Sequence, residues 1–248
     1  MARSLRGNEF EPIHVPDPLL EADRALVRQR FRLMKDVTRT KNRVKSLLFQ
    51  FGINIPARFA ASQTRYWSGI FLTWLKELQI EQVSLKRTLD NYILIGQSQR
   101  DNLLLVNKQI RELLQTDDYK RNCWLLLSIP GIGIISAMYI LTQLGDILRF
   151  PRLDDLCNYI GLVPSMHASG EKIITGKMVH RGRKELKIML IEASWDAIRK
   201  DPVLMARFNE LAKRMHKNKA IIRIAKNLLG RIRYVLINQQ KYELSVVK

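Results

Sequence analysis

Acid is what this sequence has least of relative to base. Across 248 residues, 23 Asp and Glu stand against 42 Lys and Arg, leaving a net charge of +19 and a pI near 10.2. A deficit of that size points to nucleic acid or another polyanion as partner. It is also uneven, since residues 170–248 carry 19 basic and 7 acidic side chains, so +12 of the +19 lies there. Cysteine is nearly absent. Cys123 and Cys157 are the only two, both in apolar helical settings, which excludes a disulfide framework and suits reduced, buried thiols in a cytoplasm. His14, His167, His180 and His216 have no ligand spacing with cysteine or carboxylate, so no zinc site is expected. No apolar run approaches a membrane span, and no signal-peptide core follows Met1, so no membrane partner is expected. What remains, 46% hydrophobic and 26% charged, is ordinary for a globular protein long enough to bury a core.

The pattern along the chain is helical almost throughout. Phe10 to Val15 alternates like a strand and is closed by Pro16-Asp17-Pro18. One strand with no partner nearby fits the end of a larger α/β domain, or an arm pairing with another chain. From Leu19 to Gly52, Leu20, Val27, Phe31, Met34, Val44 and Leu48 share a face. Arg24, Arg28, Arg32, Lys35, Arg39 and Arg43 recur at steps of three and four on the other side. Such a stripe is often only a solvated face, but this one is nearly unrelieved by acid and favours a nucleic-acid backbone. Tyr66, Trp67, Phe71 and Trp74 read as core aromatics rather than a base-stacking platform.

A long helix is expected over about Ile80 to Gln115. Its seam is Leu85, Leu89, Tyr92, Gly96, Gln99, Leu103, Val106, Ile110 and Leu113, with a polar break at Gly96 and Gln99. With the Leu19 to Gly52 helix it makes an antiparallel coiled coil or a dimerisation arm. Amphipathic segments at 184–199, from Pro202, and at 219–238 capped by Asn218, complete a compact, basic, all-helical second half. The fold class expected is therefore mainly α: long antiparallel coiled-coil helices, then a compact helical domain with a helix–hairpin–helix-like turn. The domains read as 1–18 (the end of an α/β domain), 19–118 (the coiled-coil region) and 119–248.

Residues 125–184 organise the rest. Ile129-Pro130-Gly131-Ile132-Gly133 sits between two apolar helical patterns, and a Gly-x-Gly turn lets backbone approach a phosphate. The first N–H groups of the next helix, Ile134 to Leu144, would point at that phosphate. A plain left-handed turn between packed helices is the alternative. Ser165 to Lys184 has no hydrophobic period and reads as an exposed loop. Glycines, hydroxyls and Lys172, Lys177, Arg181, Arg183 and Lys184 surround the step Ser169-Gly170. The pattern by itself does not make Ser169 catalytic, because most loop serines only bond nearby backbone.

The region from Ser128 to Tyr242 resembles the C-terminal domain of the IS110 family of insertion-sequence transposases. The matching residues include Ile129-Pro130-Gly131-Ile132-Gly133, Gly145-Asp146, Arg149-Phe150, Tyr159, Gly161-Leu162-Val163-Pro164, Ser169-Gly170, Gly176, Lys177, Arg181-Gly182 and Asp201-Pro202. Val15-Pro16-Asp17 and Thr38 to Gly52 resemble the segment that precedes it. The resemblance implies a RuvC-like domain with four acids, a coiled coil and a terminal domain with a nucleophilic serine, here Ser169. It also implies recombination of double-stranded DNA through a covalent serine–DNA intermediate, with Mg2+ and a bridge RNA that chooses donor and target. Lys172, Lys177, Arg181 and Arg183 become the phosphate clamps. The family's Asp-x-x-Asp pair would fall before Met1, so the expectation is a truncated or split transposase with no metal site of its own. A homo-oligomer, an acidic RuvC-like domain acting in trans and a nucleoid setting in a bacterium or archaeon follow from the same resemblance. Two readings stay open: a transposase acting through Ser169, with Ser165 the less favoured hydroxyl, and a DNA- or RNA-binding, oligomerising protein without chemistry.

Overall fold

The three-and-four apolar spacing of residues 18–50 produces one long helix, α1 (Pro18–Gln50), opened by the Asp17 carboxylate accepting from the Leu19 N–H. The computed structural model describes residues 14–60, 67–169, 172–179 and 181–244. After α1 come α2 (Ala57–Ala60), α3 (Gly69–Glu77), α4 (Val83–Leu114), α5 (Asp117–Leu127) and α6 (Ile134–Leu144). A 3-10 turn (Ile147–Arg149) and α7 (Leu153–Ile160) lead into a hairpin of β1 (Pro164–Ser169) and β2 (Lys172–Met178). The remainder is α8 (Lys184–Lys200), α9 (Pro202–Arg214) and α10 (Lys217–Asn238). The fold is mainly α. Two compact units divide it, residues 26–112 and residues 1–25 with 113–248.

In the 26–112 unit, Val44, Leu48, Phe59, Trp67, Phe71, Leu72, Leu75, Leu89 and Ile93 form the core. The aromatics do pack inside: Phe59 meets Phe71 edge-on at 5.2 Å and Trp74 at 5.6 Å. Tyr66 lies outside the described residues. Two side-chain bonds link α1 and α4, Arg30 Nε to Asn107 Oδ1 at 2.7 Å and Thr40 Oγ1 to Gln99 Oε1 at 2.9 Å. Ten residues forward on one helix is matched by eight back on the other, so the pair runs antiparallel. The polar break is used rather than tolerated. Gln99 takes Thr40, and Gly96 lies against the Trp67 indole so closely that a Cβ there would sit 2.3 Å from the ring. Met34 departs from expectation at 43% exposed. A strict heptad step drifts around a straight helix, and the buried line passes instead through Thr40, Val44 and Leu48.

The other unit is built on α10, which packs on α5, α7, α8 and α9 and buries Ile221, Ile224, Leu228, Leu229, Ile232 and Leu236. α6 is buried from Ala137 to Leu144. Asp201 staples three parts of this unit. Its Oδ1 accepts from the Val203 and Leu204 N–H groups that open α9, and its Oδ2 takes Arg231 of α10 and the Tyr242 hydroxyl. The segment after α10 closes over α5 through Tyr242 N–H to Ser128 Oγ, 2.7 Å, and Gln239 to Asn122, 3.0 Å.

Three sequence readings change. The second half is not all-helical, because residues 164–169 and 172–178 pair as strands rather than forming a loop. Its β-branched run Ile173-Ile174-Thr175 and the two residues between Ser169 and Lys172 are a strand–turn signal outweighed in the sequence by the density of glycine and charge. α10 starts two residues early, capped by His216 Nδ1 accepting from the Asn218 N–H at 3.2 Å, not by Asn218. The Phe10 to Val15 strand lies outside the described residues except for His14 and Val15, which take no regular structure.

Candidate nucleic-acid interface and serine hairpin

The Gly-x-Gly turn splits into an inward and an outward half. Gly131 has φ +87, and a Cβ there would meet the Ala193 carbonyl oxygen at 2.3 Å, so its missing side chain lets the turn press on α8. Ile132 is 6% exposed and belongs to the core. The reading of Ile132 as a phosphate contact fails on packing, since its side chain is in the core and its N–H bonds the Ile129 carbonyl, while Gly131 is half-buried with one face against α8. Gly133 is exposed, extended at φ −102, and N-caps α6 without any side-chain cap or first-turn acid. The orphan N–H groups of the first turn of α6 stay available there.

The hairpin register pairs Ser169 with Lys172, Ala168 with Ile173, His167 with Ile174 and Met166 with Thr175, with an irregularity between Pro164 and Met166. Ser169 is thus the last residue of β1, at the turn, with Lys172 opposite it. Ser165 is at the other end, at the irregular root, its Oγ 2.4 Å from where a Gly176 Cβ would stand. Lys177 is the penultimate residue of β2. Gly170 lies outside the described residues. Arg181 and Lys184 are exposed at the start of α8.

The root of the hairpin is tied to α8. Lys187, buried at 6% exposure, donates to the Val179 carbonyl after β2 at 2.7 Å and to the Gly161 carbonyl before β1 at 3.3 Å. Burial lowers its ammonium below the ordinary lysine value. The Arg183 N–H bonds the Ile160 carbonyl at 3.1 Å, and the Val179 N–H bonds Val163 at 3.1 Å. Neither strand end can move without breaking one of these.

Beside that root, Arg183 does not point freely outward. Its Nε and Nη2 donate to the Tyr159 hydroxyl at 3.2 and 2.9 Å, and that hydroxyl donates to the Gln143 carbonyl at 3.0 Å. Arg149 lies over the same ring at 4.6 Å and over Phe150 at 4.3 Å. Sequence reasoning singled out Arg183 as a clamp but gave Arg149 and Tyr159 no role; the Arg-Phe and Tyr motifs were visible, their convergence was not.

On α1, Arg24 leaves the basic stripe. It is 3% exposed, pairs with Glu21 and donates to the Thr142 and Gln143 carbonyls at 2.8 and 3.4 Å, so the reading of Arg24 as a nucleic-acid contact is corrected. Arg32, Lys35, Arg39 and Arg43 are exposed and Arg28 half-buried. Within the 26–112 unit, Lys41 has its pKa lowered by burial and by the like charge of Arg100, so the positive face extends onto α4. Among the described residues, no three His, Cys, Asp or Glu side chains are grouped to hold a metal ion.

Residues 123–209 match the family model of the IS116/IS110/IS902 transposases. This part of the chain is similar to the transposase domain of that family. It holds the Gly-x-Gly turn, the hairpin with Ser169, Lys187 and the Arg149–Tyr159–Arg183 group. Similarity reaches beyond it. A "Transposase for insertion sequence element IS1111A" of Coxiella burnetii is 28% identical over 222 residues, 88% of this chain and 59% of the relative. A "Putative transposase y4qE" of Sinorhizobium fredii is 25% identical over 195 residues, 79% and 45%. A "Pilin gene-inverting protein" of Moraxella bovis is 31% identical over 149 residues, 57% and 45%. The chain spans about half the length of the curated relatives it matches.

Proposed function

We propose that this chain supplies the nucleophile and much of the DNA grip of an insertion-sequence transposase. The observation that carries the proposal is the hairpin register, which sets Ser169 at the turn opposite Lys172 on a root pinned by Lys187, inside the IS110-family domain. A strand end anchored at its base suits a nucleophile, because positioning a reactive oxygen beforehand lowers the entropic cost of attack. In the step proposed, Ser169 Oγ gives its proton to a base and bonds to phosphorus. The bond from phosphorus to one deoxyribose oxygen breaks, and that oxygen takes up a proton. One phosphoester replaces another, so no energy source is consumed. Lys172, Lys177, Arg181 and Arg183 offset the charge of the phosphorane. Gly133 and the α6 N-terminus take a backbone phosphate. The base comes from an acidic partner domain, and a structured guide RNA lies along the basic face of α1 and α4.

The second reading, binding without chemistry, draws on the lack of a carboxylate or metal cluster among the described residues. One experiment separates the two. Labelled duplex DNA is incubated with the chain, with and without an acidic RuvC-like domain and guide RNA, and run on a denaturing gel. A protein–DNA adduct that needs the added domain and vanishes in Ser169→Ala supports the transposase reading. An adduct that survives Ser169→Ala removes Ser169 as nucleophile, and none under any condition leaves the binding protein.

A further inference from the structure

We infer that Arg149 and Arg183, arranged around Tyr159, form a site for one phosphodiester of a nucleic-acid backbone. The inference rests on the nucleic-acid binding proposed above and names a part of the surface that performs it. Three elements converge here: Arg149 from the 3-10 turn, Tyr159 from α7 and Arg183 from the N-cap of α8.

The two guanidinium carbons lie 4.6 and 5.1 Å from the centre of one tyrosine ring, within about 10 Å of each other, where like charges outside bulk water repel. Each guanidinium is held by neutral groups only. Arg149 Nε donates to the Leu144 carbonyl at 3.1 Å, and Arg183 donates to the Tyr159 hydroxyl. Among the described residues no carboxylate pairs with either.

Arg231 has Asp201 and Arg24 has Glu21; Lys187 and Arg233 are held by carbonyls alone, but Arg149 and Arg183 are two such cations set around one ring. Two half-buried arginines held in place without a counter-charge store repulsion that an anion relieves. Their placement is also decided in advance: each guanidinium is held by its own hydrogen bonds beside one ring, and the Tyr159 hydroxyl is itself fixed by the Gln143 carbonyl at 3.0 Å. Arg149 Nε is used, and its two terminal nitrogens remain for a phosphate; Arg183 keeps Nη1. A forked, pre-oriented donor pair is what planar recognition of a phosphate requires, and lysine does not reproduce it. Arg183 lies in the segment that ties the hairpin root to Ile160, so a strand gripped here enters beside the hairpin that carries Ser169.

The test is the salt dependence of binding to a 30-base-pair duplex and, separately, to an RNA hairpin, measured by fluorescence anisotropy. The full chain is compared with Arg149→Gln, Arg183→Gln and the double variant, with thermal melting confirming that each is folded. Each neutralised phosphate adds about 0.9 to the slope of log K against log salt on duplex DNA. Two arginines sharing one phosphate predict that the double variant lowers the slope by about 0.9, with binding weakened about tenfold or more. A loss near twice that value means separate phosphates, and an unchanged slope in a folded variant removes the site; either overturns the inference. Should the Gln variants unfold, Arg149→Lys replaces them, together with duplexes bearing single methylphosphonates. One neutral position must then weaken the native chain and leave Arg149→Lys indifferent. Loss of the slope on DNA alone assigns the phosphate to DNA, and on RNA alone to RNA. If the native chain binds neither with a salt slope, the functional proposal itself fails; if it binds and the variants match it, only this site fails.

Discussion

Asp201 ties the start of α9, α10 and the segment after α10 together through four hydrogen bonds. Burial would raise its carboxyl, but hydrogen bonds from Tyr242, the Leu204 N–H and Arg231 outweigh that and hold it below the usual carboxylate range. A carboxyl depressed in the folded state stabilises the fold above its unfolded value near pH 4, and that contribution is lost as pH falls through the depressed value. Asp201→Ala strips the α9 cap and leaves Arg231 uncompensated, at a cost of about 3–5 kcal/mol. Urea unfolding at pH 7 measures the loss. The gap between native and variant should shrink as pH is lowered below about 4. Lys187 gives the same slope from the opposite cause, since burial disfavours its charged form where the bonds to Asp201 favour its own. Its lowered pKa means that, between that value and about 10.4, the unfolded chain holds more protons and stability rises with pH. Lys187→Met should flatten that rise in the pH range below about 10.4, and hydrogen exchange should show earlier opening at Val179 and Leu162. Gly131→Ala, forced against the Ala193 carbonyl at positive φ, should cost about 2 kcal/mol or more. Gly133→Ala, with nothing within 4 Å of its Cβ, should leave the melting temperature nearly unchanged.

Among elements, α1 shows how one helix face mixes two roles that sequence cannot separate. Arg24 and Arg32 are both arginines on a stripe of three-and-four spacing. Arg24 caps the α6 carbonyls, whereas Arg32 is exposed. Arg24→Ala should therefore lower stability by about 3 kcal/mol or more through its buried bonds. Arg32→Ala should weaken nucleic-acid binding with a melting temperature within about 1 °C of native. Melting and anisotropy on the two variants together check the assignment; the reverse result would return Arg24 to the interface. The hairpin carries the second lesson. Its strand signal was present at Ile173-Ile174-Thr175, but two short strands can persist only when their ends are fixed, and that is done by Lys187, a side chain eighteen residues beyond Ser169.

At the scale of the whole molecule, +19 and the grip proposed for DNA belong together, since most of the affinity would be counterion release. Binding to duplex DNA should fall steeply between 50 and 200 mM salt, and a flat plot of log K against log salt would remove nucleic acid as the partner. The sequence by itself determined that the chain is mainly helical, where α6 and α8 begin, that Phe71 and Trp74 are core, and which family residues 123–209 resemble. Those follow from hydrophobic period, glycine and proline placement and motif spacing, all of them local. It could not determine that Arg24 is structural, that Gly131 faces α8, or that Arg149, Tyr159 and Arg183 meet. Each depends on which segments far apart in the chain become neighbours, and burial of a charge or the space beside a glycine exists only once they have.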